Sequence, residues 1–196
     1  MKKSGLLALL LGMTVACDGS GPTESDLVLF GINPVAPNGS CIVEDQSFDD
    51  DVAIPRDAAC TFVNVLIEGN LKMNRGARLL ANQIEVDGNI QGERAAELVV
   101  DDSRILGNIQ FEQGGRVEVR ESFVDGDIQL ESNDGDLTVV DTTIEGNIQL
   151  SQNRGGPFTL TANRVDGNLQ CKENAPQPVG TGNVVQGNKE DQCSVL

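Results

Sequence analysis

The side chains of this sequence best placed to do chemistry are carboxylates flanking a recurrent glycine. Glu68, Asp87, Asp125, Glu145 and Asp166 each precede such a glycine, and Leu106 breaks the row. Asp127 follows one, so Asp125-Gly126-Asp127 sets two acids on one face of an extended strand. Stacked carboxylates repel one another and are relieved by a hard cation, so calcium is the ion this set would hold. The plainer reading is that outward strand positions must be polar and carry no ligand. No catalytic residue is expected. Histidine, tryptophan and tyrosine are absent, which removes the commonest general base and the best rings for stacking on sugars. The sequence contains no phosphate-binding loop, nucleophile elbow or zinc signature.

The elements that must position these acids are set by a repeat. Gly69-Asn70, Gly88-Asn89, Gly107-Asn108, Gly126-Asp127, Gly146-Asn147, Gly167-Asn168 and Gly187-Asn188 follow one another at intervals of 19, 19, 19, 20, 21 and 20 residues. A period of this length marks a solenoid, in which each unit buries its apolar face only against its neighbours. Around each step apolar and polar residues alternate, as in Ile144-Glu145-Gly146-Asn147-Ile148-Gln149-Leu150, which is the pattern of a half-buried strand. A second strand follows a turn in each unit, for example Arg116–Arg120, Leu137–Val140 and Phe158–Thr161. No unit holds a helical pattern, and the same strand returns without a mirror-image partner. The expected fold is therefore all-β: a right-handed parallel β-helix of about six to seven coils with a cap at each end.

One coil per unit stacks like on like. Ile67, Val86, Ile105, Val124, Ile144, Val165 and Val185 form one expected inward column, and Leu71, Ile90, Ile109, Ile128, Ile148 and Leu169 another. Ser103, Ser122, Thr142, Asn163 and Asn183 form a small polar column whose groups are expected to satisfy one another inside. Outward rows of Asn70, Asn89, Asn108, Asn147 and Asn168 and of Gln91, Gln110, Gln129, Gln149 and Gln170 are expected to bond along the axis.

Residues 1–16 read as an export signal, with Lys2-Lys3 ahead of an apolar run from Leu6 to Val15 that is short for a permanent span. Val15-Ala16-Cys17 resembles the lipobox of bacterial lipoproteins, which implies lipidation of Cys17; Thr14 stands where leucine is usual. Ordinary signal-peptidase cleavage after Ala16 is the alternative. Setting Cys17 aside leaves an even number of cysteines. Cys41 and Cys60 are 19 residues apart and Cys171 and Cys193 are 22 apart, each close to one coil, so two bridges clamping the two ends are expected. The organisation that follows is a signal (1–16), a lipidated cysteine and flexible tether (17–26), an N-terminal cap and first coil (27–60), and the β-helix with its C-terminal cap (61–196). Net charge is −16, and −18 from Cys17 onward because Lys2 and Lys3 are the only charges before it. So acidic a surface disfavours nucleic acid as partner.

From about Val65 onward, isoleucine or valine two places either side of glycine resembles the bactofilins, filament-forming bacterial β-helix proteins. That resemblance implies self-association, although bactofilins are cytosolic and this chain carries an export signal. The C-terminal run Gly167-Asn168-Leu169-Gln170-Cys171, then Gly182 to Asn188, then Gln192-Cys193, is similar to a group of uncharacterised exported bacterial β-helix proteins. No activity comes with that similarity. Pectin-cleaving enzymes also use β-helices with clustered acids or calcium, but with long cleft-building loops and basic residues that this chain lacks. The expectation is an exported, membrane-anchored envelope protein, not an enzyme, whose solenoid contacts an envelope protein or surface polymer. A calcium-dependent polysaccharide-processing enzyme and a self-assembling filament are the alternatives.

Overall fold

The structure, a computed structural model, describes residues 39–196. The expected signal, Cys17, the expected tether and the start of the expected N-terminal cap therefore lie outside the described residues. Within them every regular element is a strand, and every strand pair is parallel. The strands form a 13-stranded and an 8-stranded sheet that wind as a β-solenoid of about eight turns. The count exceeds the expected six to seven because Ser40–Phe48 and Val52–Ile54 make a full turn of their own. Asp50-Asp51 stands there in place of Gly-Asn, which hides that turn from a search for the motif.

Each turn but the last supplies strand to three stacks, and equivalent segments stack; the last turn has Val184–Val185 and Lys189–Asp191, with a lone bridge at Val179 in the first stack. The first stack contains Arg78–Asn82, Glu97–Asp101, Arg116–Arg120, Leu137–Val140 and Phe158–Thr161. The second holds short segments such as Glu85–Val86, Arg104–Ile105 and Phe123–Val124, and the third holds Ile90–Glu93, Ile109–Glu112, Ile128–Glu131 and their equivalents. Ser40–Phe48 and Ala59–Ile67 each run continuously through the first two stacks. Bends between stacks one and two fall on residues with positive φ: Asp45, Asn64, Gln83, Asp102, Glu121, Asp141 and Ala162. This left-handed conformation directs the chain sharply from one stack to the next, at a steric cost for any residue with a Cβ.

The expected columns are the core. Ile67 pairs with Val86 and Val86 with Ile105; Leu71, Ile90, Ile109, Ile128, Ile148 and Leu169 follow one another in register. All of these side chains are fully buried, and each contributes about 1.5–3 kcal/mol. Three large rings, Phe62, Phe111 and Phe158, stand among the aliphatics; Phe111 fills the space left by Gly92 and Gly114, where any Cβ would lie 2.6 and 2.3 Å from the ring. Both cysteine pairs are joined as their spacing predicts, with Cα–Cα distances of 4.5 Å for Cys41–Cys60 and 5.2 Å for Cys171–Cys193.

In the last turn the Leu169 column continues with Lys189, whose ammonium donates to the carbonyl oxygens of Asn183 and Leu196. A charge at such a place disfavours the pairing of a further strand.

Candidate functional site

The corner between the second and third stacks carries the residues singled out for chemistry. Each glycine N–H donates to the preceding turn's glycine carbonyl, from Gly88 to Gly69 at 3.0 Å through Gly187 to Gly167 at 3.0 Å. A Cβ on Gly107 would lie 2.5 Å from the Gly88 carbonyl oxygen and 2.7 Å from Asn89 Oδ1. Glycine recurs because the neighbouring turn's peptide occupies the space a side chain would need; these glycines are half-buried, Gly187 in the last turn exposed, and none is in the buried core.

Just after glycine runs the outward amide row. Asn89 Oδ1 accepts the backbone N–H of Asn108 at 2.8 Å and its side-chain N–H at 3.0 Å. Asn70 Oδ1 receives Asn89 in the same way, at 2.9 and 3.1 Å. The row starts on a carboxylate, Asp51, which accepts both Asn70 donors and the Lys72 ammonium. The Lys72 hydrogen bond foremost, then those from Asn70, holds Asp51 at about 2, down from 3.8. Asp127 takes an asparagine place and accepts from Asn147 at 2.6 and 2.9 Å. In the glutamine row, Gln91 donates to Gln110 and Gln110 to Gln129, both at 3.1 Å. The expected bonding along the axis is present in the asparagine row; in the glutamine row it runs from Gln91 to Gln129, which turns aside to donate to Asp127, and Gln170 donates to Glu190.

The proposed calcium ligands are not drawn into one site. Among the described residues no three His, Cys, Asp or Glu side chains are grouped to hold a metal ion. Glu68 and Asp87 are exposed and separated from Asp125 by Leu106. Asp166 is engaged by Arg164 at 3.0 Å and Gln186 at 2.6 Å. Asp127 belongs to the amide row and is used there. Asp125 and Glu145 do stack directly: hydrogen bonding with Asp125, then its charge, raises the Glu145 pKa. One or two carboxylates per turn give a file of charges, whereas calcium needs six to eight oxygens around one point.

The inner polar column satisfies itself, as expected. Ser122 Oγ accepts the Ser103 N–H at 3.1 Å, and Asn183 Oδ1 accepts both N–H groups of Asn163 at 3.1 and 3.0 Å. A second buried column, Asn133, Asn153 and Asn174, was not among the sequence-based expectations. Asn153 Nδ2 donates to the Leu130 carbonyl and to Asn174 Oδ1, both at 2.9 Å, while its Oδ1 accepts both N–H groups of Asn133. The available signal was asparagine spaced by one turn inside segments that read as surface turns. Among the described residues no buried side-chain nitrogen or oxygen lacks a partner.

Searched against known proteins, the chain matches no family model, no curated protein and no solved structure. The geometry defines a class, a disulfide-clamped parallel β-solenoid with internal amide ladders.

Proposed function

We propose that this chain is an exported, lipid-anchored protein of the bacterial cell envelope, in which the solenoid displays surfaces for structural or binding roles. The observation that carries the reading is cysteine use. Two bridges consume four of the five cysteines, leaving Cys17 behind an apolar run and a small residue, where a lipid is attached in bacterial lipoproteins. Disulfides persist in oxidising compartments, which supports export.

A non-catalytic role is supported by the absence of histidine and by the way the repeated amides and several acids serve each other along the axis. Partners on this reading are the membrane, through the anchor, and an envelope protein or surface polymer, through the solenoid. End-to-end filament growth is disfavoured at the C-terminal end, where Lys189 takes an inward place.

Replacement of Cys17 by serine tests the anchor. The native chain is expected in the detergent phase after phase separation and the Cys17→Ser chain in the aqueous phase; unchanged partitioning would overturn lipidation.

A further inference from the structure

We propose that the groove along the left-handed corner between the first and second stacks binds an extended, positively charged peptide segment of another protein. The inference names the partner chemistry of the interaction role above and rests on that role; it is independent of the anchor.

The groove has a volume of about 1240 Å³ and is lined from Asp45 in the first turn to Asp141 in the sixth. Five steps of about 4.8 Å make it roughly 24 Å long, the span of about seven residues of extended chain. Its floor is the row Val65, Ile84, Ser103 and Ser122, all buried in the inner column. Its rims carry Asp45, Asp102, Glu121 and Asp141 on the corner side and Glu85 on the second-stack side.

Charge selects the ligand. None of these five carboxylates forms an ion pair among the described residues, whereas Glu97 and Glu118 on the neighbouring outer face are matched by Arg78, Arg116 and Arg120. The one basic side chain in the groove, Arg104, lies over the Phe123 ring, 4.4 Å from its centroid. A concave surface lined by one sign of charge concentrates its field and draws in the opposite sign. Asp102, Glu121 and Asp141 stand on three successive turns and suit a file of cations, while Asn64 and Gln83, which donate to Asp45 and Asp102, separate that file from Asp45. Half-exposed Leu66 and Phe123 offer apolar surface for the methylene stems of lysine or arginine. Extended backbone fits because successive turns repeat the rim in register.

The test uses the purified full-length chain and a fluorescein-labelled octapeptide alternating lysine and serine, read by fluorescence anisotropy. Asp102→Asn/Glu121→Gln/Asp141→Asn is compared with Glu93→Gln/Glu112→Gln/Glu131→Gln, which removes the same charge from an exposed row of the third stack. The groove variant is expected to weaken binding about tenfold or more and the third-stack variant less than about threefold. Thr143→Lys, which leaves every groove carboxylate in place, is expected to weaken it as well and serves if the triple variant misfolds. Equal weakening by both triple variants would mean attraction by net charge alone and would overturn the proposal, as would absence of binding to the native chain. Neither outcome bears on detergent partitioning, so failure of the groove and failure of the anchor are told apart.

Discussion

Asp51 Oδ1 accepts the backbone N–H of Asn70 at 2.8 Å and its side-chain N–H at 2.9 Å, while Oδ2 takes the Lys72 ammonium at 2.6 Å. A carboxylate thus stands at the foot of a column otherwise built from asparagine.

The position makes stability depend on acid pH. Asp51 is lowered from 3.8 to about 2 on folding, so its contribution is present above about pH 4 and is lost as pH falls through about 2. Asp51→Asn keeps the oxygen that receives Asn70 and loses the pairing with Lys72. The variant should be less stable than the native chain at pH 7 by less than about 1 kcal/mol, because the pair is largely exposed. Urea unfolding from pH 7 to 2 should show that difference closing between pH 4 and 2. A difference constant over this range would contradict the assignment.

Two substitutions of opposite sign test why particular backbone sites are occupied as they are. Gly107→Ala drives a Cβ to 2.5 Å from a carbonyl oxygen and should cost about 1–3 kcal/mol. Ala162→Gly relieves a φ of 57° at a bend where the next turn already has Gly182 at φ 76°. The gain should be about 0.5–1 kcal/mol, after subtracting the larger entropy of glycine in the unfolded chain. Urea midpoints moving down for the first and up for the second are the predicted result.

The buried column makes a third prediction. Asn153→Leu removes the acceptor of both Asn133 N–H groups and the donor to the Leu130 carbonyl, in a site with no exposure. Stranding such groups costs about 1–3 kcal/mol each, so the loss should exceed about 2 kcal/mol despite the apolar replacement. A neutral outcome in denaturant titration would mean that the column is not held by these bonds.

What could be read beforehand follows from what a period can carry. Ile67, Val86 and Ile105 announce themselves because alternation and a fixed interval together fix both face and register. Cys41 and Cys60 likewise announce a bridge because they are one turn apart. The bends at Gln83, Glu121 and Ala162 carry no turn signature: stacking on a neighbouring turn holds ordinary residues in a conformation that glycine prefers. Asn133, Asn153 and Asn174 read as surface turn residues because an amide looks alike in sequence whether it meets water or another amide. The groove was equally hidden, since a concavity arises from the angle between stacks, and neither wall alone implies it. For the acids the sequence shows which turn each belongs to; only geometry shows that Asp127 and Asp166 already have partners.

The most direct test of an exported chain winding once per repeat is peptide mapping, without reduction, of full-length protein purified from producing cells. The account predicts two linked peptide pairs, Cys41 with Cys60 and Cys171 with Cys193, and no others among these four. A link between the two ends of the molecule, or four free thiols, would contradict it.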